Sequence, residues 1–241
     1  MSEFLAQIIR QFEIEVQSQF QAGVIKGTVH LCIGQELSDV EIIKYYEDPL
    51  VFGNHRSHGQ YIAATKDIKG CYKQILDFKS QHLYYPDKFI SNGIQGALCP
   101  VAVGNALGLK IKGSERRVLC FIGDGTLGQG VFWESLNFAS IHDLSISFVV
   151  VDNGYSMSKT KSMIDVRGIA RAFNVAYREY PDMKKDGAGS CEIVYVKVSR
   201  LCGHSCNDTQ TYRDKDEILN DQITTKYESE AKQVIQDIIG R

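Results

Sequence analysis

Between residues 4 and 22, apolar side chains fall at Phe4, Leu5, Ile8, Ile9, Phe12, Val16 and Phe20, with polar residues between them. That spacing lines one face of an amphipathic helix. Further helices are expected over about 34–46 and 59–79. From Phe89 to Gly108 the chain is rich in Gly and Ala; the first half reads as a tight loop, the second as a closely packed helix. Val118–Ile122 and Ser145–Val151 are short, unbroken apolar runs, the pattern of parallel strands buried on both faces. Between them a helix should bury Phe132, Trp133, Leu136 and Ala139. Strand, helix, strand in this order is a right-handed crossover unit. A third strand is read at Ile193–Val198. From Asp216 to Ile239, one or two helices turn Ile218, Leu219, Ile223, Tyr227, Ala231, Val234, Ile235 and Ile238 inward. The chain reads as one α/β domain over residues 1–241, a mostly parallel central sheet with helices on both faces.

Composition narrows the class of function. Of 241 residues 44% are hydrophobic, enough for a large core and too many for a disordered chain. Net charge is −2 with Lys and Arg scattered, so nothing resembles a nucleic-acid footprint, and a bound anion must be held locally. No run approaches the ~20 apolar residues of a membrane span, and the N-terminus has no signal-peptide pattern. Seven cysteines, several in apolar runs, read as core thiols of a soluble cytoplasmic protein. Cys202 and Cys206 flank His204, but no second ligand pair stands at zinc spacing.

Open parallel sheets bind ligands beyond the carboxyl ends of their strands. Here the expected strands end in Gly123-Asp124-Gly125, in Asp152-Asn153-Gly154-Tyr155, and near Gly203-His204-Ser205. Glycines let a phosphate approach the backbone. A bare carboxylate among them would repel that phosphate unless a cation lies between. Asp124 therefore points to Mg²⁺, which takes six oxygens at about 2.1 Å. Asn153 can add a neutral amide oxygen and Tyr155 its carbonyl, leaving charge on the ion to attract a diphosphate. Either segment alone is ordinary turn chemistry. Their placement after two apolar strands, with Asp124 and Asn153 standing 29 positions apart, favours the cation–diphosphate reading.

The stretch GDGTLGQGVFWESLNFASIHDLSISFVVVDNGYSMS resembles the thiamine diphosphate motif. More narrowly, the chain resembles the alpha subunits of the decarboxylating component of 2-oxo acid dehydrogenases, of pyruvate, branched-chain and acetoin types. GVIKGTVHLCIGQE, NHRSHGQYIA, NGIQGALCPVAVGNALGLK and RLCGHSCNDTQTYRDKDEI resemble further family segments, in family order. The likeness runs from about Ile8 to Ile218. The family's Gly-Gly-Ser-Met-His loop is absent, with LDFKSQHLYYPDKF in its place.

The resemblance implies a thiamine diphosphate-binding fold and a residue-by-residue site. Asp124, Asn153 and the Tyr155 carbonyl would bind Mg²⁺. Arg56 and His55 would meet the diphosphate, His55 standing where the family has Tyr. Gly93 and Gln95 would lie along the aminopyrimidine; Gly123, Gly125 and Thr126 would contact phosphate. His204, with His58 nearby, would be catalytic. His30, His82 and His142 carry no argument beyond packing or surface. The glutamate that activates the cofactor belongs in this family to a separate beta subunit, so the resemblance implies a heterotetramer, or an alpha dimer, acting on a small 2-oxo acid or sugar. The trimmed loops leave a carboligase subunit as an alternative. A silent cofactor-binding module is a second alternative.

Overall fold

Alternation within the short apolar runs decides how the sheet is covered. The computed structural model describes residues 1–156, 159–160, 164–183, 190–213 and 225–240. In chain order the elements are α1 (Ser2–Gln21), α2 (Glu36–Tyr45), β1 (Leu50–Gly53), α3 (His58–Thr65), α4 (Ile68–Leu76), β2 (Tyr84–Tyr85) and β3 (Phe89–Ser91). Then follow α5 (Leu98–Ile111), β4 (Val118–Gly123), α6 (Gly130–Ile141), β5 (Ile146–Asp152), the hairpin β6 (Tyr155–Ser156) and β7 (Lys159–Thr160), α7 (Val166–Ala172), β8 (Ala176–Glu179), β9 (Cys191–Lys197) and α8 (Glu228–Ile239). The main sheet has strand order β2-β3-β1-β4-β5-β9-β8. Every neighbouring pair is parallel except β2 with β3.

Successive side chains of a strand point to opposite faces. Leu119, Phe121, Val149, Val151, Val194 and Val196 therefore meet one core with residues of α1 to α4 and α8. Val118, Cys120, Ile122, Ile146, Phe148, Val150 and Ile193 meet the other with residues of α5, α6 and α7. Both faces are covered, as the uninterrupted apolar runs require. Each fully buried side chain such as Phe148 contributes about 1.5–3 kcal/mol of transfer free energy.

Several expectations are corrected. The helix expected over 59–79 is two helices. Lys66 adopts a left-handed φ of 62° and ends α3, and the Asp67 carboxylate accepts the Gly70 N–H at 2.8 Å to start α4. The stretch after Phe89 opens as a strand, because Val51, Phe52 and Gly53 offer it a parallel edge. Trp133 is half-buried, stacked on Phe173 rather than inside the core. Of the expected tail, residues 214–224 lie outside those described, while Ala231, Ile235 and Ile239 of α8 are buried.

Register sets the site. Gly123 lies opposite Val151, and Asp152 lies opposite Lys197. The β4, β5 and β9 tips thus end side by side, with those of β1 and β3 across β4.

Candidate functional site

These tips open on a cavity of about 250 Å³. β4 supplies Gly123, Asp124 and Gly125 to its lining; β5 and its hairpin supply Val151, Asn153, Tyr155 and Ser156. The turn after β1 adds Asn54, His55 and Arg56, and the segment after β9 adds Arg200 and His204. Gln35, Gln95 and Gln129 complete it. Asp124 begins a short 3₁₀ turn and is only 5% exposed.

The local geometry has identifiable causes. Gly154 has φ +77°, a conformation that favours glycine. Asp152 Oδ1 accepts its N–H at 2.9 Å, and Asn153 Oδ1 accepts that of Tyr155 at 3.0 Å. These two side chains fold the β5 tip back on itself. An amide oxygen has two lone pairs, so Asn153 retains one for a cation. A Cβ on Gly125 would lie 2.8 Å from Ser156 Oγ, so glycine permits the hairpin to close on the β4 tip. A Cβ on Gly123 would meet nothing within 4 Å. Gly123 lines the cavity beside Asp124, so the open backbone there suits a group that approaches it. On that ground the donor set fits Mg²⁺ and a diphosphate.

Arg56 is buried and clamps two segments. Its guanidinium donates to the Leu31 carbonyl at 2.5 Å and the His204 carbonyl at 2.9 Å. It lines the cavity, and its guanidinium also reaches Cys202 Sγ at 4.0 Å. Thr126 donates to Gln95 Oε1 at 2.5 Å, and Gln95 Nε2 lies 2.7 Å from His55 Nδ1. Thr126 therefore stands behind the cavity wall and holds Gln95, rather than lining the wall itself. Gly93 is also outside the lining; a Cβ there would lie 2.6 Å from Gln81 Oε1.

His58 is corrected as a catalytic candidate. It is fully buried, with Nδ1 3.0 Å from Glu13 Oε1 and Nε2 2.9 Å from Ser80 Oγ. Both ring nitrogens are engaged away from the cavity, so it fastens α3 to α1. His30, expected only to pack, lies behind the lining and holds one of its residues: its Nδ1 lies 2.5 Å from the His204 carbonyl. Nothing local to its segment announces this, because a contact across 174 residues places it.

The histidines at this end are kept neutral. Burial pushes His30 down to about 4, with Arg56 adding to the shift and the His204 carbonyl opposing it. Burial, then Arg56 and Arg200, push His204 down to about 4. His55 is also lowered, by burial first and Arg56 next. Fixed positive charge therefore comes from Arg56 and Arg200, set against Asp124. Below its ordinary value of 6.5 an unfolded histidine takes a proton that the folded ring refuses until about 4. Stability from these groups is fully present above 6.5 and is lost as pH falls from 6.5 through 4. His30→Gln/His204→Gln is expected to flatten this part of the pH–stability curve. Thermal melts of both proteins between those limits test it, and identical slopes would refute it.

Comparison with known proteins identifies relatives of this chain. The family described as dehydrogenase E1 component matches residues 5–178. The alpha subunit of acetoin:2,6-dichlorophenolindophenol oxidoreductase from Cupriavidus necator is 32% identical, over 85% of this chain and 71% of its own length. The Bacillus subtilis alpha subunit of the same name is 31% identical, over 87% and 72%. The pyruvate dehydrogenase E1 component subunit alpha of Rickettsia bellii is 29% identical, over 88% and 74%. An X-ray structure assigned to a thiamin diphosphate-dependent enzyme from Mycobacterium smegmatis superposes with a TM-score of 0.50 at 21% identity. It covers 72% of this chain, which spans about a third (33%) of that longer one, and it bears on the fold alone. With most of its length matched, this chain belongs to the dehydrogenase E1 component family.

Proposed function

We propose that this chain is the alpha subunit of a two-subunit, thiamine diphosphate-dependent 2-oxo acid dehydrogenase, acting as a single cofactor-anchoring domain. The observation that carries the reading is the meeting of Asp124 and Asn153, from adjacent parallel strand tips, on one cavity beside the open backbone of Gly123. Asp124, Asn153 and the Tyr155 carbonyl would hold Mg²⁺, whose charge would balance that of the diphosphate. Gly123 and Gly125 admit the phosphates to the backbone. Arg56 holds the His204 loop against the cavity and adds positive potential, and Gln95 with His55 borders the aminopyrimidine. The bound cofactor supplies the nucleophilic carbon and electron sink for cleavage beside a carbonyl. His204 Nδ1 or Nε2, neutral at physiological pH, takes or gives a proton at the substrate.

The named relatives are themselves alpha subunits. The activating glutamate comes from a beta subunit, which completes the site in a heterotetramer. Purified chain mixed with thiamine diphosphate, Mg²⁺ and a 2-oxo acid is expected to show no turnover, and adding the beta subunit restores it. Turnover by the chain alone would defeat the two-subunit reading. Calorimetric titration of the cofactor with and without EDTA tests the anchor separately.

A further inference from the structure

Three histidines from three separate segments gather at one side of the cavity. His30 precedes the Gly34-Gln35-Glu36 turn, His55 follows β1, and His204 follows β9. Their ring centroids lie 4.6 Å (His30 to His55), 4.8 Å (His30 to His204) and 5.6 Å (His55 to His204) apart. One ring nitrogen from each lies within 4.8 Å of the other two. Among the described residues this is the one cluster of three or more such ligands, and neither Cys202 nor Cys206 belongs to it.

We propose that His30, His55 and His204 form a binding site for a borderline divalent transition metal of the zinc class. The proposal goes beyond the cofactor reading, does not rest on it, and concerns the cofactor-free chain, since a metal-bound His204 cannot exchange a proton with substrate. The two corners of the cavity differ in ligand chemistry. Imidazole nitrogen suits zinc, cobalt, nickel and copper, whereas Mg²⁺ prefers hard oxygens such as those of Asp124 and Asn153.

The distances are near what such an ion needs. An ion equidistant from three atoms at the 4.8 Å limit would sit about 2.8 Å from each. Each ring tip must therefore close by about 0.7 Å to reach a zinc–nitrogen bond of about 2.1 Å. His55 and His204 are partly exposed, whereas His30 is buried.

Hydrogen bonds at Nδ1 of two of the rings prepare the ligand atoms. The His30 Nδ1–H donates to the His204 carbonyl, which leaves the Nε2 lone pair for a metal. A backbone carbonyl behind a ligating imidazole is a recurrent support. His55 Nδ1 faces the side-chain amide of Gln95, whose other atom faces the Thr126 hydroxyl. The two orientations of that amide keep both contacts and reverse the protons. With its oxygen toward His55, Nδ1–H donates and Nε2 is the free ligand. Gln95 and Thr126 are thus positioning residues for His55.

Arg56 and Arg200 oppose a bare dication. Arg56 donates to the His204 carbonyl at 2.9 Å, and Arg200 lines the same cavity. Their charge favours an ion whose fourth position holds an anion. With three protein ligands that position is open, and Arg56 and Arg200 line the same cavity as His55 and His204.

Cobalt(II), a coloured stand-in for zinc, tests the site on the full chain without an affinity tag. The expected result is a saturable visible absorption at one ion per chain, displaced by Zn²⁺ and indifferent to excess Mg²⁺. His55→Gln and His204→Gln should each weaken it by at least ~10-fold, since losing a ligand exceeds the loss of an outer partner. Circular dichroism checks that each variant folds, and either variant alone suffices. No saturable absorption, an intense thiolate-to-cobalt band, or unchanged affinity in a folded variant would overturn the proposal. Asp124→Ala separates the two readings: it should lose Mg²⁺-dependent cofactor binding and keep cobalt. Loss of cobalt in that variant would move the ion to the carboxylate and overturn the histidine site.

Discussion

Asp124→Ala is expected to weaken Mg²⁺-dependent binding of thiamine diphosphate by ~100-fold or more, equivalent to about 3 kcal/mol. Asp124 is the carboxylate placed on the cavity by the β4 tip, and it lies beside Gly123, where the backbone is open. Without it the ion loses its one anionic protein ligand. The diphosphate then meets the cavity with only arginine charge to balance it. Asp124→Asn keeps the shape and one oxygen ligand, so its loss should be smaller. Asn153→Asp is informative in the opposite sense: a second carboxylate strengthens Mg²⁺ binding and weakens the ion's remaining pull on the diphosphate. Calorimetric titration of cofactor at saturating Mg²⁺, repeated in EDTA, measures all three. Wild-type affinity in Asp124→Ala would remove the basis of the functional reading.

Glu192→Ala is expected to cause the largest loss of stability, about 3–5 kcal/mol. The carboxylate is fully buried in β9, toward the sheet end opposite the cavity. It lies 2.7 Å from Arg117 and 2.8 Å from Arg178, and it accepts from Ser147 and Tyr46 hydroxyls, each at 2.7 Å. These partners come from α2's far end, the start of β4, β5 and β8. Deleting the carboxylate takes the shared counter-charge from two largely buried guanidinium groups. For a domain of this size the thermal midpoint should fall by ~6–20 °C. Glu192→Gln retains the shape and one accepting oxygen and should lose less. Cofactor affinity per folded molecule should not change, because the network is remote from the cavity. A folded Glu192→Ala protein with a loss below about 1 kcal/mol would show the pairing to be compensated by water.

The parts legible in sequence share one property: their signal is local. The α1 stripe from Phe4 to Phe20 needs only its own period, and α1 runs Ser2–Gln21. The apolar runs before Asp124 and Asn153 announce fully buried strands, and β4 and β5 lie within a residue of the expected bounds. The elements missed are short or depend on a neighbour. β1 is four residues long and β3 three, and each is a strand because the other lies beside it. β8 likewise pairs along β9. The break at Lys66 is set by the Asp67 cap rather than by the apolar period, which continues through it.

The site divides in the same way. The sequence by itself determined that Asp124 and Asn153 end adjacent parallel strands, since apolar run length and glycine placement are properties of contiguous residues. Tertiary structure alone decided which histidines face the cavity. His58, two residues from Arg56, turns inward to Glu13, while His30 crosses to His204. Thr126 and Gln95 were separated in role only by their contact with each other. Side-chain direction at a loop is set by whichever distant segment packs on it, and no period along the chain records that choice.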